Sequence, residues 1–250
     1  MKIFHTRMGN KIYKKGFIDI CKFLSMAFVV SIIFCGKTQA QQTIFNVPSA
    51  DVLDKGKVYV ELDAAFKPNN QDVLRKFSSF VPRVVAGAGR NVEVGLNITG
   101  NLNPAIDSTT LVPAVKWRFY QNEKVSLYTG TNFYIPVRNK SYNFGAYSYL
   151  GMAKTINKTR LTAGGFVFSK NVAAQNASRG GGQFAIEQTI NDRVTISADW
   201  LTGRHANGYF TPGLIYKPHP KATAYLAYSI GNADAAKGNH YFLFELGYNF

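Results

Sequence analysis

From Lys57 onward, apolar and polar residues alternate with a period of two. In "KVYVELDAAFK", Val58, Val60, Leu62, Ala64 and Phe66 share one face, and Lys57, Tyr59, Glu61, Asp63 and Lys67 share the other. "NVEVGLNIT" sets Val92, Val94, Leu96 and Ile98 against Asn91, Glu93, Gly95, Asn97 and Thr99. "RVTISADW" and "KATAYLAYSI" repeat the pattern further along. Strict alternation predicts strands that are apolar on one face only. Twelve such strands are predicted, at about 57–67, 79–90, 91–101, 110–121, 123–135, 141–154, 158–169, 180–190, 192–203, 207–217, 220–231 and 239–250.

The connections alternate too. Even-numbered strands end in tight turns, "GRN", "QNE", "INK", "IND" and "PHP", whereas odd-numbered strands end in longer loops such as "PNNQDVLRKFSS" and "NVAAQNASRG". An even strand count with tight turns at one end and long loops at the other predicts an all-β fold. The form expected is a single closed antiparallel transmembrane β-barrel, with short periplasmic turns and longer extracellular loops. Lipid cannot satisfy backbone N–H and C=O groups, so a sheet that crosses it must close on itself. Phe66, Trp117, Phe119, Trp200, Phe210 and Phe242 fall near strand ends on the apolar face, where rings favour the membrane interface. A soluble sandwich or a lipocalin-like barrel competes for the same alternation, but neither accounts for the two-sided turn asymmetry.

The chain ends "YFLFELGYNF", with Phe242, Phe244, Leu246, Tyr248 and Phe250 on one face. Ends usually fray, so an apolar face carried to Phe250 predicts that the last strand is held in the sheet. This stretch resembles the bacterial outer-membrane β-barrel proteins, whose final strand commonly carries alternating apolar residues and a terminal aromatic. Phe244, Leu246, Tyr248 and Phe250 match that assembly signal. The resemblance implies recognition by the barrel-assembly machinery and residence among outer-membrane lipid and lipopolysaccharide. "FNVPSADVLDKG", residues 45–56, is similar to the entry segment of porin-like barrels.

The N-terminus adds a compartment. A basic lead-in, the apolar run "FLSMAFVVSIIFC" and a small Ala40 form the pattern of a secretory signal peptide over 1–40, cleaved before Gln41. Residues 41–56 are then expected as a periplasmic N-terminal segment, with a plug of the lumen as the alternative, and 57–250 as the barrel. The leader holds both cysteines, and without it the formal charge falls from +15 to +9. Export and that modest charge exclude nucleic acid as a partner, and the oligomeric state stays open.

Candidate chemistry is sparse. Outside the leader the histidines are His205, His219 and His240, with no HExxH or HxxxH spacing and no shared mid-barrel face with a serine. Nucleophilic catalysis needs such a pair, so the chain is expected not to be an enzyme. Neither a cofactor nor a metal is expected. Glu61 and Asp63 are spaced for an acid/base pair, but read more simply as interior charges balanced by arginine.

The polar face is predicted to line a pore through Glu61, Asp63, Arg83, Lys116, Arg118, Arg160, Asp199 and Glu245. Ten bases against six acids on that face predict a weak preference for anions. Twelve strands imply a backbone diameter of roughly 24 Å and an opening of roughly 10 Å or less. The expected function is a narrow passive channel for small solutes. The alternatives are a pore-less attachment barrel with a salt-bridged lumen and, third, a barrel enzyme acting on lipid or polysaccharide. Lys76, Arg138 and Lys140, in the long loops, are expected to contact lipopolysaccharide phosphates.

Overall fold

The computed structural model describes residues 43–68, 77–100, 108–138, 140, 142–173, 176–232 and 240–250. The leader and Lys76 lie outside the described residues. Twelve strands run in order as β1 (Val58–Phe66), β2 (Phe77–Gly89), β3 (Val92–Gly100), β4 (Thr109–Gln121), β5 (Val125–Arg138), β6 (Gly145–Ile156), β7 (Thr159–Phe168), β8 (Gly180–Asn191), β9 (Val194–Leu201), β10 (Tyr209–His219), β11 (Ala222–Gly231) and β12 (Tyr241–Asn249). Each pairs antiparallel with its sequence neighbours, and β1 pairs with β12 to close the barrel. The all-β closed barrel read from the alternation is the observed fold.

Turn chemistry fixes the short-turn end. Arg90 and Asn91 both have positive φ, 53° and 59°, as a two-residue turn matching strand twist requires. Asn122 Oδ1 accepts from the N–H groups of Lys124 and Val125 at 2.9 and 2.7 Å. That closure holds Lys124 in the turn, so β5 starts at Val125 and runs to Arg138, rather than over 123–135.

The apolar face points outward throughout. Val60, Leu62, Leu150, Met152, Ile196, Leu226 and Leu246 are all exposed large side chains. An apolar band of this extent is untenable in water and suits lipid. Aromatic pairs stand on it, including Trp117 with Phe119 at 5.5 Å and Tyr228 with Phe242 at 4.9 Å between ring centroids. Phe244 and Leu246 of the terminal strand face the same way. The role of Phe244, Leu246, Tyr248 and Phe250 in assembly stays a proposal.

Candidate functional site in the barrel lumen

The polar face points inward, as the parity of each strand dictates, but the lumen is neither open nor uniformly wet. Residues 43–53, part of the segment expected on the periplasmic side, lie inside the barrel, and residues 54–56 are exposed where it enters. Ile44, Phe45, Val47, Ser49, Ala50 and Leu53 are buried. Their partners sit on strands spread around the wall, which only a segment within the ring can reach. The reason is visible in the sequence of the segment itself: its apolar side chains gain more from an interior than from periplasmic water.

The segment enters from the short-turn end. Gly56 N–H donates to Gly87 O at 3.0 Å, and a Cβ on Gly87 would overlap the Asp54 carbonyl. Gly87 is therefore a point of close backbone approach. Leu53 N–H donates to Glu93 Oε2 at 3.1 Å, and Leu53 packs with Tyr59 and Val85. The Asp51 carboxylate accepts from Arg160 Nη1 with both oxygens at 2.8 Å. Asp51 lies off the strands. Burial pulls its carboxyl upward, but the Arg160 guanidinium, joined by Lys116 and Arg118 further off, outweighs this and holds it below the ordinary carboxylate value.

Mid-barrel, the segment turns on itself. Ile44 N–H bonds Val47 O at 2.8 Å, and Thr43 bridges Pro48. The turn aims three consecutive N–H groups, of Phe45, Asn46 and Val47, at Asp199 Oδ2, at 3.0, 2.6 and 2.8 Å. Successive backbone donors around one carboxylate form an anion nest, and here the protein supplies the anion. Asn46 Nδ2 donates to Thr211 Oγ1 at 2.8 Å, and Tyr128 Oη donates to Pro48 O at 2.6 Å. Apolar contacts complete the seat. Phe45 packs with Ile215, Tyr225 and Leu243, and Val47 with Tyr128, Tyr147, Tyr149 and Phe166.

Among the described residues a cavity lies on each side of this turn, and the two share no lining residue. Toward the long loops lies a cavity of about 380 Å³, walled by tyrosines such as Tyr134, Tyr147 and Tyr241 and by Asp63, Lys67, Arg83 and Glu245. Toward the short turns lies one of about 210 Å³, lined by Asp51, Lys158, Arg160, Glu187 and Lys217. The segment gives Phe45, Asn46 and Pro48 to the first and Asp51 to the second.

The expected pore-lining residues sort into three charge-paired groups, Asp199 in its nest of backbone donors, and one outlier. Arg83 pairs with Glu61 through Nη1 and with Asp63 through Nη2, the latter at 3.1 Å, and Glu245 stands opposite Asp63 in register. Lys116 pairs with Glu93 at 2.8 Å with both side chains nearly inaccessible. Arg160 takes Glu187 at 2.5 Å as well as Asp51. Arg118 stands apart. The ladder sets Trp117 against Val92, the first residue of β3, so Arg118 falls opposite the turn and bonds Asn91 Oδ1 at 3.2 Å. It lies at the short-turn rim, where a mid-lumen position was expected. Glu93 and Glu187, counted among the six inward acids, complete the network together with Asp51, which lay outside that count.

The fold has solved counterparts. A KdgM porin in complex with disordered oligogalacturonate aligns at a TM-score of 0.53 and 10% identity, over 78% of this chain and 98% of the porin. The NanC porin aligns at 0.51 and 12%, over 76% of this chain and 98% of its own. This chain has the fold of the bacterial outer-membrane β-barrel proteins. An outer membrane channel from Pseudomonas putida F1 aligns at 0.48 and 10%, over 87% of this chain and all of that one. No protein-family profile and no curated protein sequence matches the chain. At these identities the likeness is one of fold alone.

The histidine rings in the described residues are engaged with backbone groups. His205 Nε2 meets Thr202 O at 2.7 Å, and its Nδ1 accepts from Asn207 N–H at 3.2 Å. His219 Nδ1 accepts from Lys221 N–H at 3.2 Å, and His240 Nδ1 from Gly231 N–H at 3.3 Å. Arg138 and Lys140 are exposed beside the loop between β5 and β6.

Proposed function

We propose that the protein works in the bacterial outer membrane as a narrow channel for small solutes, exported there by a cleaved signal peptide. In this reading the inward-folded segment around Asp199 is its constriction. The observation that carries it is the pair of cavities at opposite ends of one lumen, separated by a turn held through hydrogen bonds and side-chain packing. Such a turn can shift without opening the barrel, because the strand ladder is independent of it. The fold shared with two porins supports a channel, and the backbone bonds of the histidines give a barrel enzyme no footing.

A weak anion preference is proposed for the short-turn side. There Lys158, Arg160 and Lys217 face Asp51 and Glu187, an excess of one base. One charge raises the local anion concentration only modestly.

The pore-less attachment barrel is the second reading. It is favoured by the pairing of Arg83, Lys116 and Arg160, which neutralises three of the four bases expected to line the pore. Single-channel recording in a planar bilayer separates the two. Small, discrete openings with a reversal potential slightly toward the anion support the channel. A silent bilayer containing correctly folded, heat-modifiable protein supports the closed barrel. On the exposed rim, Arg138 and Lys140, with Lys76, are proposed to contact lipopolysaccharide, which charge reversal at these positions would loosen.

A further inference from the structure

We propose that Glu61, Asp63 and Glu245 hold a divalent cation of the calcium type at the floor of the long-loop cavity. The inference is independent of whether the lumen conducts. Asp63 and Glu245 face each other across the β1–β12 closure, and Glu61 lies two residues along the same inward face. One carboxylate oxygen from each lies within 4.8 Å of the others. Oxygens bound to one calcium at about 2.4 Å lie no more than twice that distance apart, a condition this spacing meets.

The hydrogen bonds show what is missing. Glu61 accepts from Tyr59 Oη on one oxygen and from Arg83 Nη1 on the other, which leaves a lone pair on each for a cation. Arg83 Nη2 takes Asp63 Oδ2 at 3.1 Å. Asp63 Oδ1 and Glu245 Oε2 are buried without a hydrogen-bond partner, in residues only 8% and 2% exposed. Buried carboxylate oxygens ordinarily have donors or a metal. The charge points the same way: three carboxylates against one guanidinium leave two negative charges, which one divalent ion cancels. An all-oxygen set favours calcium or magnesium over zinc. Both Asp63 and Glu245 line the cavity, so an ion can arrive from the long-loop side and keep water in its remaining positions. The expectation of no metal came from seeking histidine and cysteine spacings, which a hard cation does not use. The competing account is that protons, rather than an ion, neutralise Asp63 and Glu245.

Terbium is the probe, with protein refolded in detergent free of lipopolysaccharide. Tyr59, bonded to Glu61, serves as the luminescence sensitiser. Saturable one-to-one emission that calcium competes away is expected. Asp63→Asn and Glu245→Gln should each weaken terbium by about tenfold or more, since affinity follows ligand charge. Glu187→Gln, in the other cavity, should leave it unchanged. Equal binding in all variants, or no saturable emission, overturns the proposal in favour of protons. Should a variant fail to fold, the unsubstituted protein decides. Millimolar calcium must raise its unfolding temperature and displace terbium, and failure of either overturns the site.

Discussion

The two cavities are built from the same wall, yet they differ in kind. On the short-turn side every acid seen has a base: Arg160 binds both Glu187 and Asp51. On the long-loop side one arginine serves Glu61 and Asp63, and Glu245 keeps an unpartnered oxygen. The difference shows that a tally of inward charges does not give the field of a lumen. Ten bases against six acids on the strands predicted a basic interior. The count omitted Asp51, which the segment delivers from off the sheet, and it treated paired and unpaired groups alike. The turn at residues 44–47 keeps these two environments apart, so the most informative experiments remove or loosen it.

Deleting residues 44–52 should have the largest effect. It joins the cavities, and single-channel conductance should rise several-fold while heat-modifiable mobility on detergent gels persists. Unchanged conductance would mean that the segment is not the constriction.

Asp199→Ala should come next. It strips the acceptor from three consecutive N–H groups, at about 1–3 kcal/mol for each donor left buried and unsatisfied. The sum rivals the stability of a small domain, so the turn should leave its seat while the barrel ladder holds. Frequent long openings, fewer than in the deletion, are the expected record. Gly213→Val is milder. A Cβ there would lie 2.6 Å from Phe45 Cζ, and 2.5 and 2.6 Å from the Leu226 carbonyl oxygen and Ala227 Cβ of the wall, so the Phe45 ring and the neighbouring strand both have to give. It should raise open probability and leave the size of each opening unchanged.

Much of this was legible in the sequence. Lipid imposes period two at every membrane position, so the outward face of β1, β11 and β12 could be read residue by residue. Arg83, Asp63 and Glu245 likewise fell on the inward face by parity alone. The seat of residues 43–56 was not legible, because its bonds join residues far apart in the chain. Leu53 and Glu93 are 40 positions apart, and Asn46 and Thr211 are 165 apart. Two signals were nonetheless present. Ile44, Phe45, Val47 and Leu53 are apolar in a stretch assigned to water. Gly87, Gly213 and Gly247 interrupt inward faces, and a Cβ there would overlap Asp54, Phe45 and Tyr59 respectively.

Asp51 gives a smaller, pH-dependent effect. Its carboxyl is depressed when docked on Arg160. The contribution is full above the free carboxyl value of about 3.9 and is lost as pH falls through the lower docked value. The Asp51 contribution to open probability, read as the difference between the unsubstituted protein and Asp51→Asn, should therefore stay flat down to about pH 4 and change only in stronger acid. Asp51→Asn should start from a higher open probability and lack that acid step. An acid step of equal size in the variant would assign it to another group.

The location of the segment can be tested without recording current. Residues 41–250 contain no cysteine, so an introduced pair has no competitor. Asn46 and Thr211 touch at 2.8 Å between side-chain atoms. In Asn46→Cys with Thr211→Cys, mild oxidation of the folded, heat-modifiable barrel should form an intramolecular disulfide. It should appear as a reducible mobility shift of the boiled protein, absent from either single variant. Folded barrels that never cross-link would place residues 43–53 outside the lumen and contradict the account.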